Sequence, residues 1–304
     1  MTINDAHCHF FSAHFLETLA SDVIYLPTAE AAIAMASRLG WDPPGTSEGL
    51  ADRWVAELDR HGVRRAALIA SVPGDELSVA TAVVKHPGRF VGFFMVDPTG
   101  DDAGPRVEHA IVDLGLRCVC LFPAMHGYRV DDDRVWPVIE RAASHPGTAV
   151  FVHCGVLSVG VRKKLGLPSR FDSRLGDPLA VQMLASAFPR LPFIIPHFGA
   201  GFFRETLMAA DVAPNIYLDT SSSNAWIKYH PGLALADVFR AALNVVGPDR
   251  LLFGTDSSYF PRGWQRGVFD VQKTALDAVG ADEATRQGIF GDNFNKLFSH
   301  DRAS

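Results

Sequence analysis

The sequence has little cysteine, no excess of positive charge and no long apolar run. Four cysteines are too few for a disulfide framework, so a reducing compartment, the cytoplasm, is expected. With 28 basic and 34 acidic side chains, the formal net charge is −6, which gives no indication of a nucleic-acid partner. No apolar run approaches the roughly 18 residues that cross a bilayer, and residues 1–5 do not resemble a secretory signal. We therefore expect neither a nucleic acid nor a membrane as partner.

What the sequence does have is the composition of an ordinary globular enzyme. The chain is 304 residues long, with 48% hydrophobic and 20% charged residues. At roughly 150 residues per domain this length suggests two domains, but α/β barrels commonly reach about 250 residues or more. The composition shows no break along the chain. We therefore predict a single domain over residues 1–304.

Short apolar runs alternate with helical patterns from one end of the chain to the other. Most of the runs are almost continuously apolar, which is typical of parallel strands buried on both faces. Helical patterns are clearest at residues 48–60 and 131–143. Eight strands, each followed by a helix, predict an α/β fold of the (β/α)8 TIM-barrel type, with a doubly wound sheet as the alternative. The predicted strands cover residues 3–9, 65–71, 90–96, 116–122, 149–153, 193–197, 216–219 and 251–256.

Two segments are longer than a barrel needs, at residues 21–49 and 155–177. Both follow the carboxyl ends of predicted strands, where barrel enzymes carry their substrate loops. We interpret them as inserted loop segments of the single domain.

The first predicted strand ends in the sequence Asp5-Ala6-His7-Cys8-His9. Because side chains alternate along a strand, His7 and His9 should point to one face and Cys8 to the other. Two imidazoles on one face can bind one metal ion, although this spacing alone is a weak signal.

Three further polar residues end apolar runs: His153 after the fifth strand, His197 after the sixth and Asp256 after the eighth. In a closed barrel the carboxyl ends of the strands meet at one mouth. His7, His9, His153, His197 and Asp256 should therefore gather there. Together they predict a metal site, whereas the remaining histidines are expected to be solvated or to cap helices.

These residues resemble a known family. The pattern of His7 and His9, His153, His197-Phe198-Gly199 and Gly254-Thr255-Asp256 is similar to that of the amidohydrolase superfamily. It most resembles the amidohydrolase-related branch that contains aminocarboxymuconate-semialdehyde decarboxylase. The resemblance covers the whole chain and includes the closing segment at residues 291–298. It is specific for the fold and the metal site, and much less so for the reaction.

The resemblance implies that His7, His9 and His153 are metal ligands. It implies that Asp256 is a further ligand, which touches the metal-bound water or lies next to it. It implies that His197 is a catalytic residue that faces the substrate. Members with two metals carry a lysine or glutamate on strand four, and this chain has neither there. One ion is therefore expected, Zn²⁺ first and Mn²⁺ as the alternative. Cys118 and Cys120 are expected to fill the barrel.

Such a site predicts a metal-dependent hydrolase, in which activated water attacks an amide, ester or lactone carbonyl. Asp256 would take the proton of the water, and His197 would polarise the carbonyl or stabilise an oxyanion. The same residues suit a second reaction, the non-oxidative decarboxylation of an aromatic or enoic acid. The sequence also leaves open a metal-free lactonase and a binding protein on an inactive barrel.

The substrate is expected to be a small molecule, carboxylated or cyclic. Arg204 and Arg262 are candidates to hold a carboxylate, whereas residues 162–164 are better explained as a solvated helix face. Trp41, Tyr259, Trp226 and Trp264 are candidates for the wall of an apolar pocket. Asp5 and Asp219 are candidates to support the ligands by hydrogen bonds. Relatives often form dimers, so a homodimer is expected, with residues 21–49 as one possible interface.

Overall fold

The computed structural model of the chain describes residues 1–21, 23, 28–169, 171–222 and 224–299. Eight parallel strands form one sheet in which every strand pairs with the next in chain order. This order confirms the barrel and excludes the doubly wound sheet, in which the strand order reverses. The strands are β1 (Ile3–Phe10), β2 (Val63–Ala70), β3 (Phe90–Met95), β4 (Cys118–Leu121), β5 (Ala149–Val152), β6 (Phe193–Ile195), β7 (Ile216–Asp219) and β8 (Leu251–Leu252).

The barrel is closed between its first and last strands by the segment that follows β8. Cys8 forms a parallel bridge with Ser257, and the backbone N–H of His9 donates to the Ser257 carbonyl over 2.7 Å. The backbone N–H of Asp256 donates to the carbonyl of His7 over 2.9 Å. Closure therefore brings the carboxyl end of β1 directly against Asp256.

Helices surround the barrel, and the predicted ones at 48–60 and 131–143 are present with shifted ends. The first begins after Thr46, whose side chain accepts from the Gly49 N–H, and ends at Gly62 in the left-handed conformation. No helix of the described residues is long and apolar enough to span a bilayer. The α-helices described are α1 (Ala13–Ser21), α2 (Thr28–Leu39), α3 (Ser47–His61), α4 (Glu76–Lys85), α5 (Ala103–Val112), α6 (Pro123–His126), α7 (Val135–Ala143), α8 (Gly160–Lys164), α9 (Pro178–Ala187), α10 (Phe203–Val212), α11 (Leu235–Val245), α12 (Arg266–Ala278), α13 (Glu283–Gln287) and α14 (Asn293–Leu297).

The apolar core has two main layers, one inside the barrel and one between the strands and the helices. From β2 to β8, alternate residues of the strands belong to each layer, as the period of two requires. On β4, Cys118 and Cys120 are fully buried in the inner layer, whereas Val119 lies in the outer one. The two cysteines therefore fill the barrel, as predicted.

The two inserted segments pack on each other. Residues 28–39 form helix α2, so this part of the first segment is helical rather than a loop. A third apolar cluster joins Met35 and Trp41 of this segment to Val161 and Leu165 of the second. Residues 22, 24–27 and 170 of the two segments lie outside the described residues. The segments together build a wall on the side of the barrel where the strands end.

Candidate active site

Three of the predicted ligands lie close together at the carboxyl end of the barrel. The Nε2 atoms of His7 and His9 are 3.3 Å apart. One carboxylate oxygen of Asp256 lies 3.7 Å from His7 Nε2 and 3.3 Å from His9 Nε2. The prediction that β1 presents both histidines to one face is confirmed, and one ligand atom from each of the three residues lies within 4.8 Å of the others.

Hydrogen bonds on the opposite ring nitrogens hold both imidazoles in position. His7 Nδ1 lies 2.6 Å from Asp219 Oδ2, so it carries the proton and donates to the carboxylate. His9 Nδ1 lies 2.8 Å from Ser71 Oγ, whose own hydrogen is donated to the Ile69 carbonyl. Nδ1 of His9 therefore also carries its proton, and Nε2 of both rings presents a lone pair.

This arrangement fits a bound cation. Two imidazole lone pairs that face each other at 3.3 Å repel unless a positive charge lies between them. Next to them, the buried Nδ1 of His153 has no hydrogen-bond partner among the described residues. Imidazole nitrogen and carboxylate oxygen are the ligands that divalent transition metals prefer, so the donor set suits such a metal.

His153 and His197 complete the ring of polar side chains at the same cavity. Their ring centroids lie 5.2 Å apart, and the His197 ring is 5.0 Å from that of His7. His153 is not part of the tight group of three ligand atoms. His197 Nδ1 lies 3.2 Å from the Ser221 carbonyl oxygen, which can only accept. His197 therefore donates from Nδ1, and its Nε2 carries the lone pair.

Burial and neighbouring charges set the protonation of the site. Burial lowers the pKa of His9, His153 and His197, and neighbouring imidazoles contribute to the same direction at each. Burial also lowers the pKa of His7, but the carboxylate of Asp219 outweighs it and the net shift is upward. Burial raises the pKa of Asp256, but the imidazole of His9, 3.3 Å away, and those of His7 and His197 hold that pKa below its usual range. The site thus combines an anionic carboxylate with imidazoles that are mostly neutral.

The backbone is unusual at two of these residues, because His197 and Asp256 have φ values of 56° and 59°. Non-glycine residues adopt this region rarely, and such strain is concentrated at functional sites. Both residues lie beyond the strands, since β6 ends at Ile195 and β8 at Leu252, earlier than predicted. Asp5 supports the backbone next to Asp256, because its carboxylate accepts hydrogen bonds from the backbone N–H groups of His7 and Thr255 at 2.9 and 3.1 Å.

A cavity of about 560 Å³ opens above the site. Asp256, 35% exposed, is accessible from it. Trp41 and Tyr259 both line the cavity, as predicted, and their rings stack with centroids 4.2 Å apart. Among the described residues, three basic side chains also line the cavity: Lys164, Lys228 and Arg262.

The structure separates the two arginines proposed from the sequence. Arg262 lines the cavity, and its guanidinium donates to Ser258 Oγ over 2.7 Å. Arg204 does not line it: the side chain is 83% exposed on α10 and pairs with the carboxylate of Glu205 at 2.7 Å. The expectation for Arg204 is corrected accordingly, because the helix that follows the His197 turn carries it outwards. Trp264 is likewise a core residue, which donates to Asp5.

Other site residues were missed by the sequence. Lys164 belongs to the segment interpreted as a solvated helix face, yet it lines the cavity. Ser71 holds His9, and its only signal was a polar residue after an apolar run. Ser221 belongs to the polar run after β7 that the sequence did suggest as support for the ligands, and it holds His197. Asp219, a candidate supporting residue, does bind His7. Ser223, in the same run of serines, lies outside the described residues.

A family model described as Amidohydrolase matches residues 5–299 of the chain. The protein therefore belongs to the amidohydrolase family, an enzyme family that depends on metal ions. Protein fluG of Emericella nidulans is 31% identical over 103 residues, which are 31% of this chain and 12% of that protein. The chain thus spans only a small part of that relative.

Solved structures share the fold over nearly the whole length. A Pseudomonas putida protein assigned as a 2-pyrone-4,6-dicarboxylic acid hydrolase is 20% identical, with a TM-score of 0.62 and coverage of 98% of this chain and 97% of the other. The 5-carboxyvanillate decarboxylase LigW2 of Novosphingobium aromaticivorans, with bound manganese, is 16% identical, with a TM-score of 0.64 and the same coverages. An amidohydrolase of Burkholderia multivorans with bound zinc is 14% identical, with a TM-score of 0.62 and coverages of 98% and 99%. The structural neighbours of this fold thus carry hydrolase and decarboxylase names.

Proposed function

We propose that the protein is a hydrolase that binds one divalent metal ion through His7, His9, His153 and Asp256. The observation that carries this proposal is the pair of Nε2 lone pairs of His7 and His9, which face each other at 3.3 Å beside an anionic carboxylate. His153 adds a third imidazole, with a ring nitrogen that has no partner among the described residues.

A divalent ion in this place supplies a water nucleophile at neutral pH. The anionic Asp256, beside the ligand histidines, takes the proton of the attacking water and returns it to the leaving oxygen or nitrogen. One water is consumed for each carbonyl–oxygen or carbonyl–nitrogen bond that breaks. His197 is neutral and is held by Ser221, so its Nε2 would take a proton from solvent before it donates a hydrogen bond to developing negative charge, and it would return that proton to solvent when the product leaves.

The cavity suits a small, carboxylated or cyclic substrate. Trp41 and Tyr259 offer flat aromatic surfaces, and Arg262 offers a guanidinium beside Asp256, to whose carbonyl it donates over 3.2 Å. A guanidinium binds a carboxylate through two parallel hydrogen bonds. Arg262, Trp41 and Tyr259 are therefore the proposed substrate contacts.

Decarboxylation is the second candidate, and the same wall favours it. A ring acid stacked against Tyr259 would place its carboxylate toward the histidines, where a carbon–carbon bond breaks to release carbon dioxide. His197 or Asp256 would take a proton from solvent and give it to the ring carbon, where it replaces the carboxylate that leaves as carbon dioxide. The similarity to LigW2 supports this alternative at the level of the fold.

We propose zinc as the ion, because an imidazole-rich set with one carboxylate suits it, and manganese as the alternative. We also propose a cytoplasmic location, in line with four buried cysteines that are free thiols. The homodimer stays a prediction.

Metal analysis of the purified protein, followed by a paired substrate screen, tests the function. Lactones and esters are assayed for acid release, and carboxylated aromatic acids for carbon dioxide. Hydrolysis with about one tightly bound zinc per chain supports the proposal, and carbon dioxide release without hydrolysis selects the decarboxylase. Turnover that is unchanged after metal removal contradicts both.

A further inference from the structure

Three consecutive carbonyl groups after β8 receive no hydrogen bond from the backbone. The strand ends at Leu252, and the chain then turns through Asp256 in the left-handed conformation. Among the described residues, no backbone N–H donates to the carbonyls of Gly254, Thr255 or Asp256. Carbonyl groups in such a place need donors from elsewhere, because a buried acceptor without a partner is unfavourable. The donors here are side chains.

Gln265 supplies two of these donors. Its side-chain amide donates to the carbonyl of Thr255 over 2.9 Å and to that of Asp256 over 3.1 Å. The two hydrogens of one amide group thus go to consecutive carbonyls. The backbone N–H of Gln265 donates to Ser257 Oγ over 2.9 Å. Arg262 also reaches the Asp256 carbonyl, but only Gln265 holds the chain on both sides of Asp256.

Gln272 makes the same kind of contact at the neighbouring strand end. Its side-chain amide donates to the Thr220 carbonyl over 2.7 Å and to the Gly254 carbonyl over 3.3 Å, and its oxygen accepts from the Thr220 hydroxyl over 2.6 Å. Thr220 directly follows β7, and Gly254 follows β8. Gln272 therefore joins the ends of these two strands to each other and to one helix.

Both glutamines belong to the same well-packed helix. Gln265 directly precedes α12 and Gln272 lies seven residues later, about two turns, so both side chains project from one face. Phe269 holds the helix against the barrel, since its ring centroid lies 5.7 Å from that of Phe253 and 5.0 Å from that of Phe290. Neither glutamine lines the cavity. They can therefore act on the site only through the backbone that they hold.

We propose that Gln265 is a positioning residue of the active site, and that Gln272 supports it from the same helix. By holding the Thr255 and Asp256 carbonyls, Gln265 keeps Asp256 in the left-handed conformation, in which its carboxylate lies 3.3 Å from His9 Nε2. A strained conformation persists only where its surroundings determine it. The role of this carboxylate toward a metal rests on the proposed function, whereas its placement requires only the hydrogen bonds.

Gln265→Met tests this role, because methionine has a similar length but cannot donate to a carbonyl. Gln287→Met is the matched control, since Gln287 is also half-buried and would lose two hydrogen bonds, to Asp292 and to Thr2 just before β1. The metal-free proteins are crystallised, and urea unfolding measures their stability. Titration with Co²⁺ then gives the affinity and the visible spectrum, which depends on the number and geometry of the ligands.

We expect Gln265→Met to lose the contact between Asp256 and His9 in the crystal, to bind Co²⁺ about 10- to 100-fold more weakly and to change the Co²⁺ spectrum. Gln287→Met should lose similar stability but keep the contact, the affinity and the spectrum of the wild type. The proposal is overturned if the folded Gln265→Met protein matches the wild type in contact and spectrum, or if both variants lose them alike.

This proposal and the proposed function fail separately. If the wild type binds neither Co²⁺ nor Zn²⁺, the proposed function is refuted and the metal-free crystal structures decide the role of Gln265. Loss of the contact between Asp256 and His9 in the variant then supports that role, and its retention overturns it. Gln265→Glu, which keeps the shape and also lacks the N–H donors, replaces Gln265→Met if the methionine variant does not fold.

Discussion

His7 and Asp219 are 212 residues apart in the chain, and His7 Nδ1 lies 2.6 Å from the Asp219 carboxylate. The same carboxylate accepts from the backbone N–H of Ser221 over 2.7 Å, and Ser221 in turn contacts His197. Asp219 is fully buried, at the end of β7. One carboxylate thus fixes the proton of a proposed ligand and anchors the turn that holds the proposed catalytic histidine.

Replacement of this carboxylate by an amide, Asp219→Asn, should weaken zinc binding about 10- to 100-fold, because His7 loses the acceptor that fixes its tautomer and raises its basicity. Competition with a fluorescent zinc chelator measures the affinity. Asp249→Asn is the control, since Asp249 is 82% exposed and lies just before β8. Equal affinity of Asp219→Asn and the wild type would show that the contact does not orient a ligand.

His153→Ala should reduce bound metal to well below one ion per chain. The side chain is buried at the cavity, and removal of one of three imidazoles leaves the ion with too few protein ligands. Elemental analysis of the purified variant measures the metal content. His109→Ala serves as its control, because His109 lies on α5, is 60% exposed and pairs with Asp113. Full metal occupancy in His153→Ala would remove His153 from the ligand set.

Asp256→Asn should keep much of the metal but lose about 10²- to 10⁴-fold in kcat, because the amide cannot accept the proton of water. The shape of the site is retained, since Asn can still accept a hydrogen bond at one oxygen. Metal content and kcat are measured on the same preparation, together with His197→Ala. If His197→Ala loses the metal while Asp256→Asn retains its turnover, the two roles are assigned wrongly.

The strands of this barrel could be predicted because the signal for them is local. Parallel strands buried on both faces are apolar throughout, and the polar residue that ends each run marks the mouth. This reasoning located His7, His153 and Asp256 correctly at one end of the barrel. It overestimated the length of β6 and β8, because the apolar runs continue beyond Ile195 and Leu252 into the turns that carry His197 and Asp256 in the left-handed conformation.

The cavity contacts were less predictable, because they depend on packing between distant segments. Arg204 and Lys164 both follow strands that lead to a site histidine, and both belong to short polar stretches. Lys164 faces the cavity since Val161 and Leu165 are buried against the first inserted segment, whereas α10 carries Arg204 into solvent. Only the position of the helix, which sequence periodicity does not give, distinguishes the two.

Close packing explains why the first position of the pattern Gly254-Thr255-Asp256 is a glycine. A Cβ at this position would lie 2.9 Å from His7 Cβ and 2.8 Å from Asp219 Oδ1. Its neighbours are both buried and belong to the proposed metal site, so they cannot move without changing it. A methyl group here would therefore disturb the hydrogen bond between His7 and Asp219.

Gly254→Ala should consequently lower the free energy of unfolding by about 1–3 kcal/mol and weaken zinc binding at the same time. Gly267→Ala is its control, because a Cβ at Gly267 in α12 meets no atom within 4 Å, and this variant should fold and bind zinc like the wild type. Urea unfolding of the metal-free proteins gives the stability, and chelator competition gives the affinity. A Gly254→Ala protein with wild-type zinc affinity would contradict the close fit around His7, even if its stability falls.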